Sequence, residues 1–102
     1  MILALLRYPA LAPTVAELAA DKQGSIPFFE SIPGLIDKTW AMDEATGEGI
    51  SVYHFDDRAS ADVWFMSERQ REFRAATGAT LELFDVGAVV VRNPLGLSRP
   101  LR

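Results

Sequence analysis

Turn residues and helix-capping signals divide this chain into six segments that alternate in the order β-α-β-β-α-β. Apolar runs typical of strands cover residues 1–8, 35–43, 49–55 and 80–92. This order predicts an α+β domain, in which a four-stranded antiparallel sheet carries both helices on one face. The 102 residues fit one domain, which we place at residues 1–93, with a tail over residues 94–102.

The first helix begins at a capping box. Thr14 and Glu17 have the spacing at which a hydroxyl and a carboxylate satisfy each other's backbone amides. Gly24 and Pro27 then interrupt the helical pattern. Either the helix kinks there, or Ser25 caps a second, shorter helix.

The second helical region also carries its own start and stop signals. Asp56 or Asp57 is expected to cap its beginning. A second capping box at Ser67 predicts a break in the helix, and Gly78 is placed to end it in a left-handed conformation.

The predicted strands are apolar on both faces, although the helices cover only one face. Residues 2–6 and 86–91 hardly alternate between apolar and polar side chains, whereas a strand with one face in water should alternate. In the last strand the apolar side chains change from odd-numbered to even-numbered positions at residues 85–87, which predicts a β-bulge. We therefore expect this ferredoxin-like βαββαβ domain to form a homodimer, in which two open faces pack sheet against sheet.

Charge and composition narrow the possible partners. The net charge is −4, and the arginines at 69, 71 and 74 alternate with Glu68 and Glu72. Nucleic-acid binders normally carry a basic stripe, so we expect no nucleic-acid partner. No apolar run approaches the roughly 20 residues of a membrane span, so we expect no membrane partner and a cytoplasmic location.

Neither a metal site nor a cofactor site is predicted. The chain has one histidine and no cysteine, and it lacks the spacings that hold zinc or other transition metals. It also lacks the glycine-rich loops that cradle phosphates. We therefore expect no metal and no cofactor.

Two stretches carry a family resemblance. Residues 32–40 read IPGLIDKTW, and residues 46–55 read TGEGISVYHF, followed by an acidic cap and an alanine-rich helix. This pattern resembles the dimeric α/β-barrel superfamily and is closest to its YdhR-like monooxygenases. The resemblance implies a dimeric α+β barrel with a ligand pocket and a cofactor-independent oxygenase activity. The superfamily also includes isomerases, stress-induced proteins and haem-degrading enzymes; the Asn, Trp and His set of the haem-degrading branch is not matched here.

Lys38 and His54 are the candidate catalytic residues. Imidazole titrates near neutral pH and can move a proton. If the hairpin pairs symmetrically about its turn, Lys38 lies beside His54 and disfavours the imidazolium form. The alternative is an exposed polar pair near the sheet edge.

Aromatic side chains supply candidate substrate contacts. A flat aromatic compound can stack on such rings, and tyrosine and tryptophan add a polar group to an apolar body. Core packing is the alternative interpretation for each ring. The candidate substrate-binding residues are Phe29, Trp40, Tyr53 and Trp64.

These observations favour a monooxygenase that oxidises a small aromatic or polycyclic phenol or quinol in a pocket between helices and sheet. His54 would act as the base or orient one, and Lys38 would stabilise the substrate anion. A non-catalytic binding or stress-related dimer, or an isomerase or lyase on the same scaffold, remains an alternative.

Overall fold

The computed structural model describes residues 1–10 and 12–87 of the chain. Within these residues the predicted order of strands and helices is confirmed, and the second helical region is divided in two as expected. The elements are β1 (Ile2–Tyr8), α1 (Val15–Glu30), β2 (Leu35–Met42), β3 (Gly49–Phe55), α2 (Arg58–Phe65), α3 (Glu68–Thr77) and β4 (Thr80–Asp85).

The four strands form one antiparallel sheet in the order β2-β3-β1-β4. Alternate residues of the central strands are buried, which is the pattern of a sheet packed on one side. The main core lies between this side of the sheet and the helices, and consists of Ile2, Ala4, Leu6, Tyr8, Tyr53, Phe55, Ala61 and Phe65. The predicted ferredoxin-like α+β fold is therefore confirmed.

Short polar side chains cap the first turns of the helices at the positions that the sequence predicts. The Glu17 amide donates to the Thr14 hydroxyl at 3.1 Å. The Ser60 amide donates to the carboxylate of Asp57 at 2.7 Å, so Asp57 rather than Asp56 is the cap. These bonds satisfy amides that have no partner inside the helix.

The ends of α3 are also confirmed. The Ser67 hydroxyl accepts from the Gln70 amide at 3.2 Å. Gly78 ends the helix with a φ of 73°, in the left-handed region.

The first helix is continuous through its proline. Pro27 lies inside α1, and the Ser25 hydroxyl donates to the Lys22 carbonyl at 2.8 Å. Of the two predicted alternatives, a second helix capped by Ser25 is therefore wrong. Leu18 is the one buried residue of α1, and the helix packs mainly on the edge strand β2.

The other side of the sheet forms an open face. Leu3, Leu5 and Val52 lie there, half-buried by their neighbours within the sheet, and Phe84 is 48% exposed. Arg7 and Glu82 form an ion pair of 3.1 Å on the same face. This mixture of apolar and charged side chains differs from the uniformly polar surface of a solvated sheet.

The last described strand is shorter than predicted. β4 ends at Asp85, and the Val86 amide still donates to the Met1 carbonyl at 3.1 Å. Gly87 then turns the chain with a φ of 63°. The strand therefore ends where a bulge was expected. Three other predictions lie outside the described residues: the continuation of the strand to residue 92, the domain boundary at residue 93 and the tail. No described helix is long and apolar enough to cross a membrane.

Candidate functional site

The pairing of β2 with β3 decides which side chains reach the helices. Lys38 lies opposite Tyr53, and Trp40 lies opposite Ser51. Tyr53 and Ser51 are both buried in the face that meets the helices. Because directly opposed residues project to the same face of a sheet, Lys38 and Trp40 also project toward the helices.

Five of the six predicted site residues meet there in a cluster that we call the Lys38 pocket. Phe29, from α1, lies at its centre. Its ring centroid is 5.5 Å from that of Trp40, 6.1 Å from that of Trp64 and 6.4 Å from that of Tyr53. The rings meet edge to face, which is a favourable arrangement for aromatic quadrupoles.

The Lys38 amino group lies against three ring faces. Its Nζ is 3.5 Å from the ring centroid of Phe29, 4.3 Å from that of Tyr53 and 4.5 Å from that of Trp40. Within the described part of the chain, no carboxylate lies within ion-pair distance of this Nζ. The lysine is therefore surrounded mainly by π-electron density, which attracts a cation only weakly compared with a carboxylate.

Burial among these rings lowers the pKa of Lys38 to about 6, and the positive charge of Lys22 acts in the same direction. The ring faces oppose this shift, because they attract the ammonium form. A lysine with this pKa is largely an uncharged amine at neutral pH. It can accept a proton or attack an electrophile, which an ordinary surface lysine rarely does.

Tyr53 and Trp64 add two polar groups to the aromatic cluster. Burial raises the pKa of the Tyr53 hydroxyl, so that it stays protonated, and Tyr8 adds to the shift. The Trp64 indole opposes the shift as a hydrogen-bond donor toward this hydroxyl, although its buried Nε1 does not reach full hydrogen-bond geometry with an acceptor.

A cavity of about 110 Å³ opens beside Lys38, between α1 and the start of β2. Ile26, Phe29, Leu35 and Trp40 are among the residues that line it. A larger hollow of about 600 Å³ lies at the opposite end of the sheet, around Tyr8 and Gly78. We favour the smaller cavity as the site, because it alone of the two adjoins an amine with a displaced pKa.

His54 lies away from the pocket. It pairs with Asp37 across the strands, on the open face, and its Nδ1 is 3.6 Å from the Asp37 carboxylate. The prediction that Lys38 and His54 share a face is therefore wrong, because the real register differs by one residue and places them on opposite faces. A catalytic role for His54 stays a prediction, but His54 does not contact the substrate cavity beside Lys38.

Two further residues of the site, Lys22 and Ile26, are not among those predicted from the sequence. Lys22 affects the pKa of Lys38, and Ile26 lines the cavity. Together with Phe29 they follow the i, i+4, i+7 spacing of one helical face, and this spacing was the available signal. Among the described residues, no three histidine, cysteine or acidic side chains come close enough to hold a metal ion.

The fold and the site together define a ferredoxin-like α+β domain with a lysine in an aromatic pocket. No family model matches the chain, and no curated protein matches it. Solved structures do match over most of the chain, with sequence identities of 12% and 14% in the three cases below. At such identities the likeness shows the fold alone.

One similar structure is the monooxygenase from the gene ActVA-Orf6 of Streptomyces coelicolor, in complex with the ligand Nanaomycin D, with a TM-score of 0.64 at 12% identity. It covers 90% of this chain and 92% of its own. Another is SnoaB, a cofactor-independent oxygenase from Streptomyces nogalater, with a TM-score of 0.62 at 14% identity, covering 89% and 97%. Rv0793 from Mycobacterium tuberculosis has a TM-score of 0.61 at 14% identity, covering 88% and 98%. The chain thus has the ferredoxin-like α+β fold of these structures, whereas the YdhR-like subtype stays a prediction.

Proposed function

We propose that this protein is a cofactor-independent monooxygenase that oxidises a small aromatic or polycyclic phenol or quinol in the Lys38 pocket. The observation that carries the proposal is the Lys38 amine, held against three aromatic faces. No carboxylate of the described residues lies within ion-pair distance of this amine, although Glu30 and Asp37 line the same cavity. The similarity to structures described as monooxygenases and as a cofactor-independent oxygenase agrees with this activity.

In the proposed reaction, the uncharged Lys38 amine takes a proton from the substrate hydroxyl. The ammonium that forms then lies beside the substrate anion and stabilises it, in a site where water competes little. The anion is electron-rich enough to reduce oxygen itself. One oxygen atom enters the substrate as a carbonyl in place of two hydrogens, and the other leaves as water, so the substrate supplies all the electrons.

The aromatic walls account for the choice of substrate. Phe29 and Trp40 offer ring faces and edges on which a flat compound can stack. The cavity of about 110 Å³ is of the size that holds about one aromatic ring, since a cavity of roughly 150 Å³ binds benzene. A larger substrate would have its remaining rings outside the cavity.

Oxygen uptake under air, with anthrone and with a simple quinol as substrates, tests the proposal. We expect turnover without added flavin or metal, and one labelled oxygen atom in the product when ¹⁸O₂ is supplied. Lys38→Met should lower kcat by about 10²-fold or more, the usual contribution of a general base. His54→Gln tests the catalytic role predicted for His54: because the residue lies on the opposite face, we expect most of the activity to remain.

Other outcomes identify the alternative functions. Bound aromatic compound without oxygen uptake would overturn the oxygenase and favour a binding protein. A changed product formed without oxygen would favour an isomerase or lyase. Equal activity of the wild type and Lys38→Met would remove Lys38 from the mechanism.

We also propose that the open face pairs with a second copy of the chain. Leu5 and Val52 are opposite each other at its centre, and Phe84, which lies opposite Leu3, is exposed on the same face. Covering these side chains would remove apolar surface from water, which stabilises by about 25 cal/mol per Å². A sheet-to-sheet homodimer buries the same face of both copies.

A further inference from the structure

The chain contains two lysines, and their surroundings differ sharply. Lys22 forms an ion pair of 3.1 Å with Asp21. Lys38 has its Nζ over Phe29, Trp40 and Tyr53, without an acidic partner among the described residues. A lysine amine that is surrounded by apolar groups, as in Lys38, is the type that attacks carbonyl groups.

We propose that Lys38 is a covalent capture site for aromatic aldehydes and ketones, with which it forms a reversible imine. The aromatic ring of the ligand would lie in the cavity between Phe29 and Leu35, with its carbonyl carbon at the Lys38 Nζ. This activity needs no oxygen, and therefore goes beyond the proposed oxygenation and does not depend on it.

The steps balance without an outside reactant. The nitrogen lone pair of Lys38 adds to the carbonyl carbon, and the carbonyl oxygen takes up a proton as the nitrogen loses one. The resulting carbinolamine expels water and leaves a carbon–nitrogen double bond. Addition of water reverses both steps and releases the carbonyl compound unchanged.

The pocket favours both partners of this reaction. Burial keeps the amine uncharged before attack, because it lowers the pKa of Lys38. The protonated imine is itself a cation, and it would form where the faces of Phe29, Trp40 and Tyr53 already surround the nitrogen.

Reductive trapping with benzaldehyde tests the proposal. The wild-type protein is treated under nitrogen with benzaldehyde and sodium cyanoborohydride, which reduces the imine to a stable benzylamine. Peptide mapping by mass spectrometry then gives the modified fraction at Lys38, at Lys22 and at the amino terminus. At pH 7 we expect Lys38 to be modified more than roughly tenfold faster than Lys22, because far more of its amine is uncharged.

Two controls separate the pocket from general amine reactivity. Lys38→Arg should remove the fast phase. The preference should disappear when the wild-type protein is unfolded in urea, which requires no variant to fold. Equal modification of both lysines in the folded protein, or persistence of the preference in urea, would overturn the proposal. A failure to observe oxygen uptake would contradict the proposed monooxygenase but not the proposed imine formation at Lys38.

Discussion

Lys38 and Tyr53 face each other across β2 and β3, and the Lys38 Nζ lies 4.3 Å from the centroid of the Tyr53 ring. Both side chains are ionisable, and burial favours the uncharged form of each. The pair therefore places an amine and a phenol in their neutral states side by side. This combination can move protons without presenting a permanent charge to an apolar substrate.

The buried lysine should make stability depend on pH. Its pKa is lowered from 10.5 to about 6 in the folded protein, so between these values the unfolded chain binds more protons. The free energy of unfolding should therefore rise with pH over this window, with a contribution of up to about 1.4 kcal/mol per pH unit from Lys38. Lys38→Met should remove this contribution, as measured by urea unfolding at pH 6.5, 8 and 9.5. Arg71→Met, at an exposed position of α3, is the control, and parallel curves for Lys38→Met and the wild type would contradict the assignment.

Gly34 should tolerate no side chain. Its φ is 79°, and an added Cβ would lie 2.5 Å from the Ser60 Cβ at the start of α2. Gly47 has the same φ but open space around it. Gly47→Ala should therefore cost only the backbone strain of about 1–2 kcal/mol, and Gly34→Ala should cost more.

Urea midpoints of the two alanine variants would measure this difference. Adding Ser60→Gly to Gly34→Ala should recover part of the loss, because it removes the atoms that clash. Equal destabilisation of the two variants would show that the contact with Ser60 contributes nothing.

Arg74 should stabilise the junction between α2 and α3. Its guanidinium donates to the Phe65 carbonyl at 2.9 Å and to the Gln70 side chain at 3.0 Å. Arg74→Ala should lower the free energy of unfolding by about 1–2 kcal/mol, since these bonds include a charged donor. Arg71, exposed on the same helix, gives the control Arg71→Ala, and a similar loss in both variants would contradict the prediction.

A charge at the centre of the open face should separate the proposed dimer. Val52 lies between Leu5 and Thr39 on this face. Val52→Lys should yield a monomer in sedimentation velocity, because two ammonium groups would be buried between the sheets. Ala20→Lys, on an exposed position of α1, should leave the dimer intact. A monomeric wild type at micromolar concentration would refute the dimer itself.

The fold could be predicted because its signals are local. Thr14, Asp57, Ser67 and Gly78 each mark a helix end through a bond or a backbone angle formed within a few residues. Phe29, Trp40, Tyr53 and Trp64 could be named as pocket candidates from their chemistry, but not placed in one cluster. Their meeting depends on how α1 and α2 pack on the sheet.

The relationship between Lys38 and His54 could not be predicted, because it depends on register. A hairpin that pairs one residue differently reverses the face of every side chain in the strand. The paired residues that flank the loop are Met42 and Gly49. Counting along both strands from this pair places His54 opposite Asp37 instead of Lys38. Nothing in the local sequence of residues 43–48 distinguishes the two registers.

The same register has an evolutionary consequence. The loop over residues 43–48 sets which members of β2 face the helices. One residue added to or removed from it, with β3 held in place, would bring Asp37 or Thr39 opposite Tyr53 and carry Lys38 to the open face. A single insertion or deletion in this loop would thus exchange a basic pocket for an acidic or neutral one, a change that leaves every strand residue identical.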